Sequence, residues 1–283
     1  MSTAARPVGV TGSTGNLGGR IARLLSAAGV EQRLLVRDPT RAPSLPATTR
    51  AQANYGDFEQ VRRALGGLTT VLMVSGSESS TRVREHTTFV EAAASAGVRH
   101  LIYISFYGAA PDATFTLARN HFSTERHIED SGMTWTSLRD NVYLDFLPLL
   151  AGADGVIRGP AGEGRVAAVA QDDIAAAAVT VLRDPAGHDS RTYSLTGPSS
   201  ITLQEAAAVL TSSLGRTFTF HDETLDEAYA SRALYGAPSW QVDAWVSTYT
   251  AIACGALAGV TNDVKRLTGR TPLSLEQLLA PTG

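Results

Sequence analysis

Val8-Gly9-Val10-Thr11-Gly12-Ser13-Thr14-Gly15-Asn16-Leu17-Gly18-Gly19 decides the reading of this 283-residue chain. The segment runs from a short apolar strand, Pro7–Thr11, through a glycine-rich turn into a helix, Asn16–Ala28. A G-x-x-G-x-x-G match is weak by itself in a chain with 26 glycines, but the strand before it and the helix after it supply the required context. Gly12 suits the tight turn, Gly15 lets backbone approach a pyrophosphate, and Gly18 lets the helix lie close to the sheet. The helix N-terminus adds unpaired N–H groups and the positive end of its dipole. Gly12, Ser13, Thr14, Gly15, Asn16, Leu17 and Gly18 are therefore expected to form a dinucleotide phosphate site.

The next strand, Gln32–Arg37, ends in Arg37-Asp38-Pro39. An acidic side chain here binds the ribose hydroxyls of NAD, whereas an arginine accommodates the 2′-phosphate of NADP. Arg37 comes first and Pro39 turns the chain away after Asp38, so NADP (NADPH) is expected, with NAD the weaker alternative. Asp57, where a third strand hands over to a helix, fits both an adenine contact and a helix N-cap.

Further strands are expected at Thr70–Ser75, His100–Ser105 and Thr134–Leu138, with a weaker one near Ala51–Tyr55. They are nearly continuous in Val, Ile and Leu, as strands buried on both faces require. Helices Asp57–Leu65, Arg82–Ala96 and Leu117–Asp130 alternate with them, each stopped at a glycine. This predicts an α/β chain with a doubly wound, Rossmann-like parallel sheet over residues 1–150. Residues 151–283 are expected to form a smaller C-terminal α/β lobe interleaved with the sheet. It would carry a helix Asp173–Leu182 capped by Asp172 or Asp173, a strand Thr217–His221 and an aromatic-rich helical segment to Val260.

Composition removes several classes of function. Lys+Arg total 24 against 27 Asp+Glu, a net charge of −3, which offers no basic face to nucleic acid. The one lysine is Lys265, so a Walker A lysine is absent, and with Thr261 four residues earlier so is a Tyr-x-x-x-Lys pair. Cys254 stands alone, expected as a small buried hydrophobe, and no His, Cys or carboxylate spacing suggests a metal. Asp172-Asp173 and Asp222-Glu223 look like helix caps or solvated turns. No apolar stretch approaches membrane length and the N-terminus lacks a signal-peptide core, so a cytoplasmic monomer or homodimer acting on a small molecule is expected.

Several stretches together resemble the NmrA-like atypical short-chain dehydrogenase/reductases, with bacterial NAD(P)H:quinone reductases and triphenylmethane reductases nearest. They are Thr11–Gly19, Leu35-Val36-Arg37, Gly56-Asp57, Val74-Ser75-Gly76, His121–Glu125, Trp135–Tyr143 and Leu267–Pro272, in family order. The resemblance implies a Rossmann fold, NADPH binding and hydride transfer to quinone-like or dye-like acceptors. Extended members carry Tyr-x-x-x-Lys-x-x-x-Glu on the fourth helix; here Leu117, His121 and Glu125 fall at those places. Two roles then fit His121: a contact or proton relay at the nicotinamide ribose, or a surface imidazole bonded to Glu125 one turn on. Ser105 falls near the place of the family's catalytic serine.

Ligands of open parallel sheets bind outside the carboxyl ends of the strands. That expectation groups Ser75, Gly76, Ser105, Phe106, Tyr107, Asn141 and Tyr143 around the nicotinamide. Phe106, Tyr107, Tyr143 and Phe146 would give an acceptor flat faces, and water, Tyr107 or His121 a proton. Tyr229, Tyr235, Trp240, Trp245 and Tyr249 fit an apolar pocket and a lobe core equally. A member without turnover, binding the cofactor as a redox sensor or binding a partner, is the competing class.

Overall fold

The computed structural model describes residues 7–280. Its first half runs β1 (Val8–Thr11), α1 (Asn16–Ala27), β2 (Gln32–Val36), β3 (Thr48–Gln52), α2 (Phe58–Leu65), β4 (Thr70–Val74), α3 (Arg82–Ser95), β5 (His100–Phe106), α4 (Thr116–Asp130) and β6 (Thr134–Asp140). There follow β7 (Val156–Gly159), β8 (Arg165–Val166), α5 (Gln171–Arg183), β9 (Arg191–Leu195), β10 (Ile201–Thr202), α6 (Leu203–Leu214) and β11 (Thr219–Asp222). Helices α7 (Leu225–Ala233), α8 (Ser239–Ala253), α9 (Asp263–Thr268) and α10 (Leu275–Leu279) complete the chain.

Seven strands form one sheet in the order β3-β2-β1-β4-β5-β6-β9. Its first five pair in parallel, in register from Val8 opposite Gln32 and Gly9 opposite Val71 to Thr70 opposite His100. Winding reverses between β1 and β4, and the crevice at that switch point is where open sheets bind ligands. The doubly wound Rossmann-like fold expected from the sequence is therefore present.

Two compact units emerge, interleaved along the chain rather than divided at residue 150. The first comprises Met1–Ser105, Asn120–Arg139 and Ile174–Tyr193; the second comprises Phe106–Arg119, Asp140–Asp173 and Ser194–Gly283. The first is built on Leu35, Val61, Leu65, Val71, Phe89, Leu101 and Tyr103, all buried. In the second, Leu144, Leu147, Ile157, Leu203, Leu210 and Phe218 form the core, with β11 pairing in parallel with β7.

Local chemistry shifts some expected elements. The weak third strand lies at Thr48–Gln52. Helix α5 starts at Gln171, which puts Asp172 and Asp173 inside its first turn rather than at its cap. Asp173 is buried and accepts the Leu273 N–H at 2.7 Å. The aromatic segment is two helices, because Gly236, at φ +61°, and Pro238 break the run between α7 and α8. Cys254 is exposed at the C-terminal end of α8, not buried.

Candidate cofactor and acceptor sites

The loop after β1 can be made only with glycine at two of its places. Gly12 adopts φ +67°, a left-handed conformation that L side chains rarely take. A methyl group on Gly18 would stand 2.3 Å from the Gly12 carbonyl oxygen, so helix and turn pack with no room for a side chain. Helix α1 begins at Gly15 with no side-chain cap, which leaves its first-turn N–H groups open to an anion. Gly12, Thr14, Gly15 and Asn16 are exposed. Ser13, Leu17 and Gly18 are buried, and the Ser13 hydroxyl has no hydrogen-bond partner among the described residues. An uncapped helix start, a cradle that a Cβ would fill and an orphaned hydroxyl fit a dinucleotide pyrophosphate.

At the end of β2 the two candidate selectors have parted. Arg37 is exposed. Asp38, also exposed, caps the short turn Pro39–Arg41, accepting from Thr40 N at 2.9 Å and Thr40 Oγ1 at 2.7 Å. Those bonds hold its carboxyl below the usual range. Asp57 caps α2, accepting from Gln60 N at 2.9 Å.

The switch-point rim after β4 is fixed by side chains the sequence did not reveal. Tyr55 donates its hydroxyl to the Val74 carbonyl, 2.6 Å away and equally close to Thr11 Oγ1, which accepts the Val74 N–H at 2.8 Å. This ties the carboxyl ends of β1 and β4 together. Just beyond, Gly76 donates its N–H to Nε2 of His86 at 2.9 Å, and the other ring nitrogen of His86 meets Thr124 Oγ1 at 2.9 Å. The proton of this neutral ring therefore sits on Nδ1. Burial, aided by the Arg82 charge, lowers the His86 pKa to about 3. The Gly76 amide is thus committed to His86, and Ser75 is half-buried beside it.

His121 is buried and not at the helix surface. Arg82 Nη2 lies 3.0 Å from its Nε2, and Tyr103 Oη lies 3.0 Å from its Nδ1. Burial and the Arg82 charge lower its pKa well below the ordinary histidine value. Glu125 receives Ser105 Oγ at 2.6 Å and a two-pronged contact from Arg139, Nε at 2.8 Å and Nη2 at 2.6 Å. Ser105 is fully buried, so its hydroxyl serves this ion pair.

In the second unit, Asn141 is also fully buried and fully used. It donates Nδ2–H to the Leu257 carbonyl at 3.0 Å and accepts the Val142 N–H at 2.8 Å. This holds the chain after β6. Tyr143 is half-buried and donates to Asp140 Oδ2 at 2.9 Å, with its ring 5.2 Å from Phe146. Phe106 packs on Phe115 with ring centres 4.8 Å apart. Tyr107 lies against Gly259, where a methyl would come within 2.1 Å of its hydroxyl.

Phe146 opens onto a cavity of about 590 Å³ in the second unit, with Leu150, Tyr235, Trp245, Tyr249 and Arg232 around it. Three of the five aromatics singled out in the second half thus line it. Tyr229 is exposed and bonded to Asp243 at 3.0 Å, and Trp240 is half-buried. Glu223, expected in a solvated turn, is buried and paired with Arg232 at 2.7 Å.

Residues 12–185 match the family model described as NAD(P)H-binding, more than half of the chain. The chain belongs to this NAD(P)H-binding family. It is 33% identical over 267 residues to an NAD(P)H azoreductase from Xenophilus azovorans, covering 92% of each chain. It superposes with TM-score 0.89 and 31% identity on an NADPH-dependent quinone oxidoreductase from Escherichia coli complexed with NADPH, covering 96% of this chain and 98% of that one. Against triphenylmethane reductase from Citrobacter sp. complexed with NADP(H), the TM-score is 0.84 and the identity 27%, at the same coverage. The resemblance drawn from the motifs holds at the level of the family.

Within this NAD(P)H-binding chain, Tyr55, Arg82, His86 and Tyr103 escaped the sequence reading. The nearest hydrogen-bond partners of their side chains lie 10 to 39 residues away, from Gly76 at His86 to His121 at Arg82, so no local spacing marks them. Among the described residues, no group of His, Cys, Asp and Glu is gathered as a metal site, and no helix is long and apolar enough to cross a membrane.

Proposed function

We propose that this chain is an NADPH-dependent reductase of quinone-like or conjugated electron-poor acceptors that works without a Tyr–Lys pair. The observation that carries the reading is the glycine cradle of Gly12, Gly15 and Gly18 at an uncapped helix start. The azo, quinone and triphenylmethane relatives support the acceptor class. When bound, NADPH supplies the hydride.

The chain's own residues bind and orient. N–H groups from Gly12 to Leu17 hold the pyrophosphate, Arg37 the 2′-phosphate, and Asp57 the adenine edge while it caps α2. The Ser75–Gly76 segment, braced by His86, borders the nicotinamide end. Phe146, Tyr235 and Trp245 present flat faces to the acceptor and exclude water from it.

A quinone that has taken up hydride is phenolate-like, with a conjugate acid near the ~10 of tyrosine, and collects its proton from water or Tyr107. An alkoxide is a far stronger base and needs an acid in the transition state. With Leu117 in the place of the phenol, and with Ser105 and His121 engaged by Glu125 and Arg82, none of these three residues supplies such an acid. The lone Cys254 agrees with a reducing, cytoplasmic setting, as a monomer or homodimer.

The committed Ser105 and His121 also favour a second reading, a cofactor-loaded sensor. Calorimetric titration with NADPH and NADP⁺, paired with NADPH oxidation with and without a quinone, separates the two. Acceptor-dependent oxidation supports the reductase. Strong discrimination between the two cofactor forms with no oxidation would support the sensor.

A further inference from the structure

We propose that the cavity of the second unit reads an anionic substituent on the acceptor, a carboxylate, sulfonate or phosphate group, through Arg232 with Arg158 in support. The inference rests on the reading of that cavity as the acceptor site.

At about 590 Å³ the cavity suits a body of two or three fused rings. Its walls are mostly apolar, and the charged side chains lining it are Arg158 and Arg232. Their carboxylate partners, Asp154 and Glu223, are not among the lining residues. The cavity wall therefore includes two arginines and neither of their carboxylate partners.

Arg232 is 8% exposed, a position where a charge is costly unless it is paired and hydrogen-bonded. Here it is held from several directions. Nη1 donates to Glu223 Oε2 at 2.7 Å, to the Ala228 carbonyl at 3.0 Å and to Ser231 Oγ at 3.1 Å, while Nη2 donates to the Arg158 carbonyl at 3.0 Å. The guanidinium carbon stands 5.1 Å from the centre of the Tyr249 ring. A guanidinium fixed in this way can grip an oxyanion with little further loss of side-chain freedom. Arg158 adds a second positive charge on a more exposed stem, bound to Asp154 at 2.6 Å.

Trp245 lies in the cavity wall and reports occupancy without turnover. The test is its fluorescence quenching by naphthalene-2-sulfonate and by 2-naphthol, two probes with the same ring body. The proposal expects the sulfonate to bind about tenfold tighter or more, since a charge-assisted bond is involved. Arg232→Gln, paired with Glu223→Gln so that no buried carboxylate is left alone, should abolish the preference. Arg158→Gln, outside the buried pair, should shrink it about threefold; this variant decides the matter if the double variant does not fold. Equal binding of both probes would overturn the proposal and leave the cavity intact as an acceptor site. Binding of neither probe would remove the cavity from the acceptor reading altogether. A preference that survives in both variants would show that other groups make it, and would also overturn the assignment.

Discussion

Arg82 holds the imidazole of His121 in one tautomer. A guanidinium can only donate, so Nε2 of His121 accepts at 3.0 Å and the ring proton sits on Nδ1, facing the Tyr103 hydroxyl. His121 takes the place of a lysine in the motif it resembles, yet it is a neutral acceptor locked inside the first unit. Burial and the Arg82 charge hold its pKa well below the ordinary value, which makes it a poor proton source at neutral pH.

The same burial makes stability depend on pH. His86 has its pKa lowered to about 3, His121 lies well below 6.5, and His100 is lowered as well, in each case mainly by desolvation. Folded, these rings stay neutral as acid is added; unfolded, they take up protons near the ordinary value. Below that value the unfolded chain binds more protons, so stability is full above about pH 6.5 and declines beneath it. Each ring contributes a slope of up to about 1.4 kcal/mol per pH unit. Thermal unfolding should show Tm falling between about pH 7 and pH 5, and less steeply in His86→Gln. A flat Tm over that range would contradict the buried neutral assignment.

Ser105→Ala should be a stability variant and not a catalytic one. The change removes a 2.6 Å hydrogen bond to Glu125, which keeps both contacts from Arg139. The expected loss is about 1–3 kcal/mol in denaturant unfolding, with kcat altered by no more than about twofold. A fall in kcat of several orders of magnitude with normal stability would make Ser105 part of the chemistry.

Arg37→Ala should separate the two nicotinamide cofactors. Asp38 is engaged with Thr40, whereas no side-chain bond of the exposed Arg37 competes for a phosphate among the hydrogen bonds and ion pairs of the described residues at this strand end. A charge-assisted bond of about 1.5–3 kcal/mol to the 2′-phosphate corresponds to a ten- to hundredfold loss of NADPH affinity. NADH, which lacks that phosphate, should change little. Equal binding of both cofactors by the unmutated chain would contradict the role given to Arg37.

The parts that could be read in advance are those encoded by neighbours in sequence. Strand, glycine turn and helix from Val8 to Gly19 are short-range features, and Gly12 makes the expected tight turn, at φ +67°. The Asp57 cap was equally legible, because its partner lies three residues on. What could not be read is long-range. Nothing near His86 announces the Gly76 amide or Thr124, and nothing near Ser105 announces Glu125. Glu223 looked like a surface turn because Arg232 reaches it from the next helix. That Phe106–Arg119 joins the second unit and Ile174–Tyr193 the first was hidden for the same reason, since it depends on which distant segments pack together. The break between α7 and α8 was different: Gly236 and Pro238 were present in the sequence as a signal and were read through.

The most direct measurement is steady-state NADPH oxidation by the purified chain against a matched panel of quinones and unactivated ketones. The account predicts quinone-dependent oxidation with kcat/KM at least about a thousandfold above that for any simple ketone, the shortfall expected where general-acid assistance is lacking. Comparable or faster turnover of the ketones would show that a proton donor is built into the site, and would contradict it.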